Sequence, residues 1–251
     1  MRSVCIYLVF VTLGFSVFAQ ESDIYPQTPE APALPPLSAQ QTPASPVQAA
    51  PSVPKPDALL LYNQGRNLES TGRVSEANAK YQQSIVVCNA ELVSDPTRMD
   101  AYTVKSWSLF RLGRYREVTT VGNAALRMKF DPRIVEVIGE AYFYLGDDAS
   151  ALKNLQRYIE NVGEYADRVP TAYFYMAESY LRQKRFDHAD IAYGMAVYRE
   201  PNMARWWYRY GGTAEALGQY ARAYDLYGRA LRLSPGMQEA LDAQARVKAR
   251  L

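Results

Sequence analysis

Proline cannot continue the interior of an α-helix, because it lacks the backbone N–H and its ring clashes with the preceding turn. Beyond residue 57 the chain carries proline at five positions, Pro96, Pro132, Pro170, Pro201 and Pro235, separated by 36, 38, 31 and 34 residues. Prolines at helix starts punctuate successive helical units, and a period in this range is the signature of a repeat architecture. Nothing between these prolines shows the alternation of a strand.

A second register supports the first. Gly72, Gly113, Gly146, Lys184 and Gly218 fall at one common turn position. Four residues before each stand Leu68, Leu109, Tyr142, Tyr180 and Ala214; three before those stand the small residues Gly65, Ser106, Gly139, Ala177 and Gly211; four earlier again are Leu61, Tyr102, Val135, Tyr173 and Trp207. Steps of three and four place these sets on one helical face. After the turn the pattern continues with Ala77, Val118, Ala151, Ala189 and Ala223, then Tyr81, Gly122, Leu155, Tyr193 and Tyr227, then Ser84, Ala125, Tyr158, Ala196 and Ala230. Small residues on both helices let two backbones approach closely, and the large ones fill the space beside the next hairpin.

The pattern resembles the tetratricopeptide repeat family over residues 58–235, about 70% of the chain. Tyr173, Met176, Ala177 and Tyr180, followed by Phe186, Ala189, Tyr193, Ala196 and Pro201, match its motif best. Trp207, Tyr210 and Gly211, with Tyr220, Ala223, Tyr227, Ala230 and Pro235, are nearly as close. The resemblance implies an all-α fold, a right-handed α-solenoid of about five stacked helical hairpins. Residues 236–251, with Met237, Ala240, Leu241 and Val247 at near-helical spacing, fit the polar-backed capping helix that such an array needs. The first unit is longer than the others, which predicts an extended second helix through Val86, Val87, Cys88 and Leu92. The second is the poorest match: Gly122 replaces a large residue beside Thr119 and Thr120, all weak helix formers, and this hairpin is expected to be the least rigid.

Two segments precede the array. Arg2 followed by the apolar run Val4–Phe18, ending Val17-Phe18-Ala19, has the grammar of a secretory signal peptide over residues 1–19; an uncleaved anchor is the alternative. Ten of the fifteen prolines fall in residues 20–57 among Ala, Ser and Gln, a composition that cannot bury a core and reads as a disordered tether. At full extension it reaches on the order of 100 Å. If the leader is removed, Cys5 goes with it, and Cys88 has no intramolecular disulfide partner.

The residues offer little to catalysis. His188, the one histidine, lies beside a packing alanine without an accompanying ligand or orienting partner. A GxSxG elbow, a zinc-type cluster and a phosphate-binding glycine loop are all missing from the sequence, so no catalytic, metal or cofactor-binding residue and no cofactor is expected. Asp147-Asp148 fits the N-terminus of a helix. Residues 58–198 balance 17 basic against 17 acidic side chains, and residues 199–251 carry nine against five. That is too mild a surplus for a nucleic-acid partner.

What remains is surface. In tetratricopeptide arrays the first helices line a concave groove, and the register assigns to it Tyr62 and Arg66, Trp107 and Phe110, Glu136, Glu140 and Phe143, Phe174 and Glu178, and Arg205, Tyr208 and Arg209. Aromatic and arginine side chains are typical binding hot spots; the competing expectation is that the tyrosine-rich units pack sideways. Co-chaperone members of the family grip a terminal carboxylate, but Glu136 and Glu140 would repel one here. An apolar or basic segment over an aromatic and acidic floor is expected instead. The sequence therefore points to an exported, bacterial periplasmic adaptor binding a protein or peptide, an envelope protein foremost, with membrane contact only through an uncleaved N-terminus. A small-ligand or lipid carrier and a self-associating structural subunit stand as alternatives.

Overall fold

The computed structural model describes residues 56–163 and 165–251. The leader at 1–19 and most of the tether at 20–57 lie outside the described residues. Asp57 does more than end a tether: its side chain accepts from the Leu60 amide at 3.0 Å and caps the first helix.

Among the described residues there are eleven α-helices and no strand. They form five hairpins: α1 (Ala58–Ser70) with α2 (Val74–Ser94), α3 (Met99–Arg111) with α4 (Tyr115–Met128), α5 (Pro132–Tyr144) with α6 (Asp148–Asn161), α7 (Val169–Arg182) with α8 (Phe186–Arg199), and α9 (Ala204–Ala216) with α10 (Tyr220–Leu233). A last helix, α11 (Gln238–Lys248), follows. Within each hairpin the two helices pack together, and each second helix nests against the first helix of the next unit. The result is an all-α solenoid. As the longer first unit implies, α2 runs for 21 residues.

The prolines fall where their chemistry requires. Pro132 opens α5 and Pro170 sits in the first turn of α7, while Pro96, Pro201 and Pro235 occupy the turns before α3, α9 and α11. The common turn position has one physical explanation. Gly72, Gly113, Gly146, Lys184 and Gly218 have φ between 58° and 79°, the left-handed region that glycine adopts at least cost. At each, the amide of the turn residue bonds three residues back and the next amide bonds five back, as in Gly72 N to Glu69 O and Arg73 N to Leu68 O, both 2.9 Å. This is the Schellman closure of a helix end, repeated five times.

The small–large alternation inside each hairpin is equally physical. A Cβ on Gly211 would lie 2.6 Å from the Tyr227 ring, so only glycine lets this tyrosine lie flat against the facing helix. In the second hairpin the roles change. Gly122 gives up its side chain to the following unit, where a Cβ would come within 2.6 Å of Ile138. This glycine is thus a packing position between units. Thr119 and Thr120, its weak-propensity neighbours, both donate their hydroxyls to the Arg116 carbonyl at 2.9 Å.

Asp147 caps α6 by accepting from the Ser150 amide at 3.0 Å. On α11 the inward residues are Ala240, Ala243 and Val247, whereas Leu241 faces outward. The four-residue step of the helix places Ala243, not Leu241, on the same face as Val247.

Lys184 is the one described non-glycine residue with positive φ, a conformation that costs a side chain about 1–2 kcal/mol. Replacement by glycine relieves this and returns part as unfolded-chain entropy. Lys184→Gly is therefore expected to stabilise the protein by about 0.5–1 kcal/mol, read as a higher urea midpoint at unchanged slope.

Candidate partner-binding face

The first helices α1, α3, α5 and α7 contact one another in succession, which brings the register-assigned residues onto neighbouring elements. Their environments divide them sharply. Arg66, Trp107, Phe143, Glu178, Arg205, Tyr208 and Arg209 are half-buried, whereas Tyr62, Phe110, Glu136, Glu140 and Phe174 are buried. Those five are not available as an exposed lining, which corrects the sequence expectation for them.

The reason differs for aromatic and acidic positions. The rings pack sideways between adjacent units. Tyr62 lies 5.5 Å from Trp107 and 5.8 Å from Tyr81. Phe110 meets Tyr115 and Tyr144 edge-on at 5.3 and 5.6 Å, and Phe143 packs on Tyr175 at 4.9 Å. Phe174 stacks on Trp206 at 5.1 Å and 14°. Ring pairs at such distances add modestly to the burial of their apolar area, so these rings serve as an internal spine joining the hairpins. The exposed face of Phe143 is taken by the Arg182 guanidinium, 3.9 Å from its centroid.

The acidic positions are satisfied internally. Arg168, the residue before α7, donates its Nε to Glu136 at 2.7 Å and its Nη2 to Glu140. Glu178 takes both donors of Arg209, at 2.6 and 2.5 Å, together with the Tyr193 hydroxyl. Burial works against the Arg209 charge, but the hydrogen bonds and charge of Glu178 outweigh it and hold the guanidinium above its ordinary value. The expected acidic floor is therefore largely neutralised. Glu136 and Glu140 do not stand open to repel an incoming carboxylate, because Arg168 already covers them.

Glu178 and Arg209 belong to a wider pattern that the sequence reading missed. At every junction between units a carboxylate on the earlier hairpin meets an arginine on the later one. The pairs are Glu69–Arg111 at 3.5 Å, Asp100–Arg133 at 2.8 Å, Glu136 and Glu140 with Arg168, Asp148–Arg182 at 2.5 Å, Glu178–Arg209 at 2.5 Å, Asp190–Arg222 at 2.9 Å, and Glu215–Arg246 at 2.8 Å. In three of these rungs a buried tyrosine at one repeat position, Tyr81, Tyr193 or Tyr227, donates its hydroxyl to the same carboxylate. Burial, then the carboxylate, raises all three phenols above their ordinary pKa. The signal was present: most partners lie 31 to 33 residues apart, one repeat period.

A cleft of about 610 Å³ opens at the unit junctions, lined by Thr97, Arg98, Met99, Asp100, Met128, Lys129, Phe130, Asp131 and Arg133. Arg133 crosses it to both Asp100 and Asp131 at 2.8 and 2.7 Å. So ionic a lining is unlike the apolar interior a lipid carrier requires. Among the described residues no group of three or more His, Cys, Asp or Glu could hold a metal ion, and no helix is long and apolar enough to cross a membrane.

Two family models, each described as a tetratricopeptide repeat, match residues 138–164 and 204–236. These stretches fall on the third and fifth hairpins, whose register the structure has already explained. The chain is a tetratricopeptide repeat protein. Solved structures of similar fold include YrrB, described as "a TPR protein with an unusual peptide-binding site". It has 21% identity over 75% of this chain and 92% of that one, with a TM-score of 0.53. MamA residues 41 to the end from Desulfovibrio magneticus RS-1 shows 14% identity, 72% and 97% coverage, and a TM-score of 0.58. A further MamA structure, MSR-1 C2, shows 21% identity, 61% and 86% coverage, and a TM-score of 0.54. A comparison with curated proteins finds no match. At these identities the likeness establishes the fold of this tetratricopeptide repeat protein and leaves its ligand to its own surface.

The rungs differ in burial, and that difference is measurable. Arg209→Met leaves Glu178 and the Tyr193 hydroxyl without their cation at a tightly packed junction, and the expected cost is about 1–2 kcal/mol. Arg73→Ala removes a fully exposed pair with Glu76 and is expected to leave the urea midpoint unchanged.

Proposed function

We propose that this chain is an exported, non-catalytic scaffold of the bacterial envelope that binds a protein or peptide partner across the first helices of its hairpins. The observation that carries the reading is what the packing leaves over. Beyond the aromatic spine and the acid–arginine rungs, Arg66, Trp107 and Tyr208 stand half-exposed on α1, α3 and α9, Trp107 with one side against Tyr62 and Tyr208 with one side against Tyr227. Trp, Tyr and Arg are the side chains most often responsible for binding energy, because each buries a large area with few torsions to freeze.

The partner chemistry follows from the same residues. An arginine and two amphipathic rings suit an extended segment with apolar side chains and backbone carbonyls or acidic groups. A strongly basic segment is disfavoured, because the neighbouring carboxylates are already paired. Export is supported by the Arg2 and Val4–Phe18 pattern, and the proline-rich stretch before the array would give reach from its point of attachment. A preformed array loses little ordering entropy on binding, so a moderate number of contacts suffices. The peptide-binding description of YrrB fits this reading.

The test is affinity capture from envelope extract with the full chain. Trp107→Ala combined with Tyr208→Ala is expected to lower recovery of the captured partner tenfold or more, and His188→Ala to leave it unchanged. A partner retained equally by the Trp107/Tyr208 variant, or none captured at all, would overturn the proposal.

A further inference from the structure

Hairpin three breaks the rung pattern. It carries Leu155 where the first, fourth and fifth hairpins carry Tyr81, Tyr193 and Tyr227, so no tyrosine hydroxyl at that position meets a carboxylate. Instead α5 places Glu136 and Glu140 one turn apart, with side chains only 7% and 2% exposed, and both bind the single guanidinium of Arg168. Two buried negative charges against one positive charge are costly. The least costly balance is one proton held between the two carboxyl groups. Both carboxyl groups converge on one guanidinium, and a hydrogen bond between two carboxyl groups requires such a proton. The Tyr158 hydroxyl from α6 and Asp167 from the segment leading into α7 also stand near the cluster. Neither supplies a positive charge.

We propose that Glu136, Glu140 and Arg168 form a proton-operated latch that sets how firmly α7 is held against α5. With one proton on the pair the cluster is neutral, and Arg168 bridges both carboxyl groups. When that proton leaves, the pair carries an uncompensated buried charge. Hydrating it moves Arg168, and the segment before α7, away from α5.

Burial pushes the Glu140 carboxyl well above the ordinary carboxylate range, with Arg168 opposing and Glu136 reinforcing the shift. A folded-state value above the unfolded one means that this stability is complete below the ordinary carboxylate pKa and is lost as pH rises through the raised one. The exposed-side rungs run the other way. Glu215, held low by the Arg246 hydrogen bond, contributes above its unfolded value and loses that contribution on acidification. The latch therefore has a distinguishable sign and does not depend on what the array binds.

Local amide hydrogen exchange of the full chain tests it. As pH rises above the ordinary carboxylate range, after correction for intrinsic exchange, protection at the start of α7 is expected to fall by up to about tenfold per pH unit. In Glu140→Gln, which imitates the protonated carboxyl, it stays level. Equal slopes in the two proteins would overturn the proposal. A second measurement needs no variant. Carboxyl carbon NMR of the unmodified, glutamate-labelled protein is expected to show one glutamate titrating well above the ordinary carboxylate range, and glutamates that all titrate in the ordinary range would equally overturn it.

Discussion

No hairpin in this protein encloses a core of its own. Two helices in contact bury one seam and leave the opposite faces apolar, so each unit is completed only by the next. The close approach that makes the seam is set by small residues facing large ones, as where Gly211 admits the ring of Tyr227. Everything else follows from that spacing. It fixes where the second helix lies, which determines where the following first helix nests, and that arrangement brings aromatic side chains from successive units within 4.7 to 6.0 Å of one another.

Stacking by apolar contact alone would allow units to slide or reverse. The acid–arginine rungs give the stack a direction, since the carboxylate always comes from the earlier unit and the arginine from the later. Such pairs contribute modestly to stability where exposed, but a misregistered junction would leave a half-buried charge alone, a larger penalty. The first hairpin respects the same logic at its leading face. The positions equivalent to Arg133, Arg209, Arg111 and Arg222 are there Leu59, Asn63, Ser70 and Glu76. At those four positions a second copy stacked end to end would meet no arginine, which weighs against open-ended self-association through such rungs.

Much of this was legible from residue spacing. The prolines, the turn glycines and the small–large sets predicted five hairpins and a closing helix, because backbone chemistry at a turn or a close contact tolerates few residue types. The extended α2 was legible too, as extra length between turns. The face was less so. A one-dimensional register says which side of a helix a residue occupies, yet Phe110 and Arg66 share a side and differ in burial because neighbouring rings cover one and not the other. Glu136 and Glu140 were read as open charges, since nothing in their own unit reveals that Arg168 reaches them from the next. Period-matched acid and arginine positions could have exposed the rungs; the covering of individual rings could not have been found that way, as it depends on how far each unit rotates against the last.

Hairpin three shows how one substitution reorganises a repeat. Where hairpins one, four and five use a tyrosine hydroxyl to satisfy a carboxylate, Leu155 offers none, and a lone buried carboxylate on α5 would be intolerable. The chain answers with a longer connection between α6 and α7 that ends in Arg168. That arginine compensates for one charge, and the second carboxylate makes the site neutral only with a proton. The longer connection and the leucine are therefore one feature. Gly139 holds the register position at which Gly65 and Gly211 admit the rings of Tyr81 and Tyr227, so packing alone would accept a tyrosine at 155. The departure from the repeat is thus held in place by charge, through Arg168, and not by lack of room.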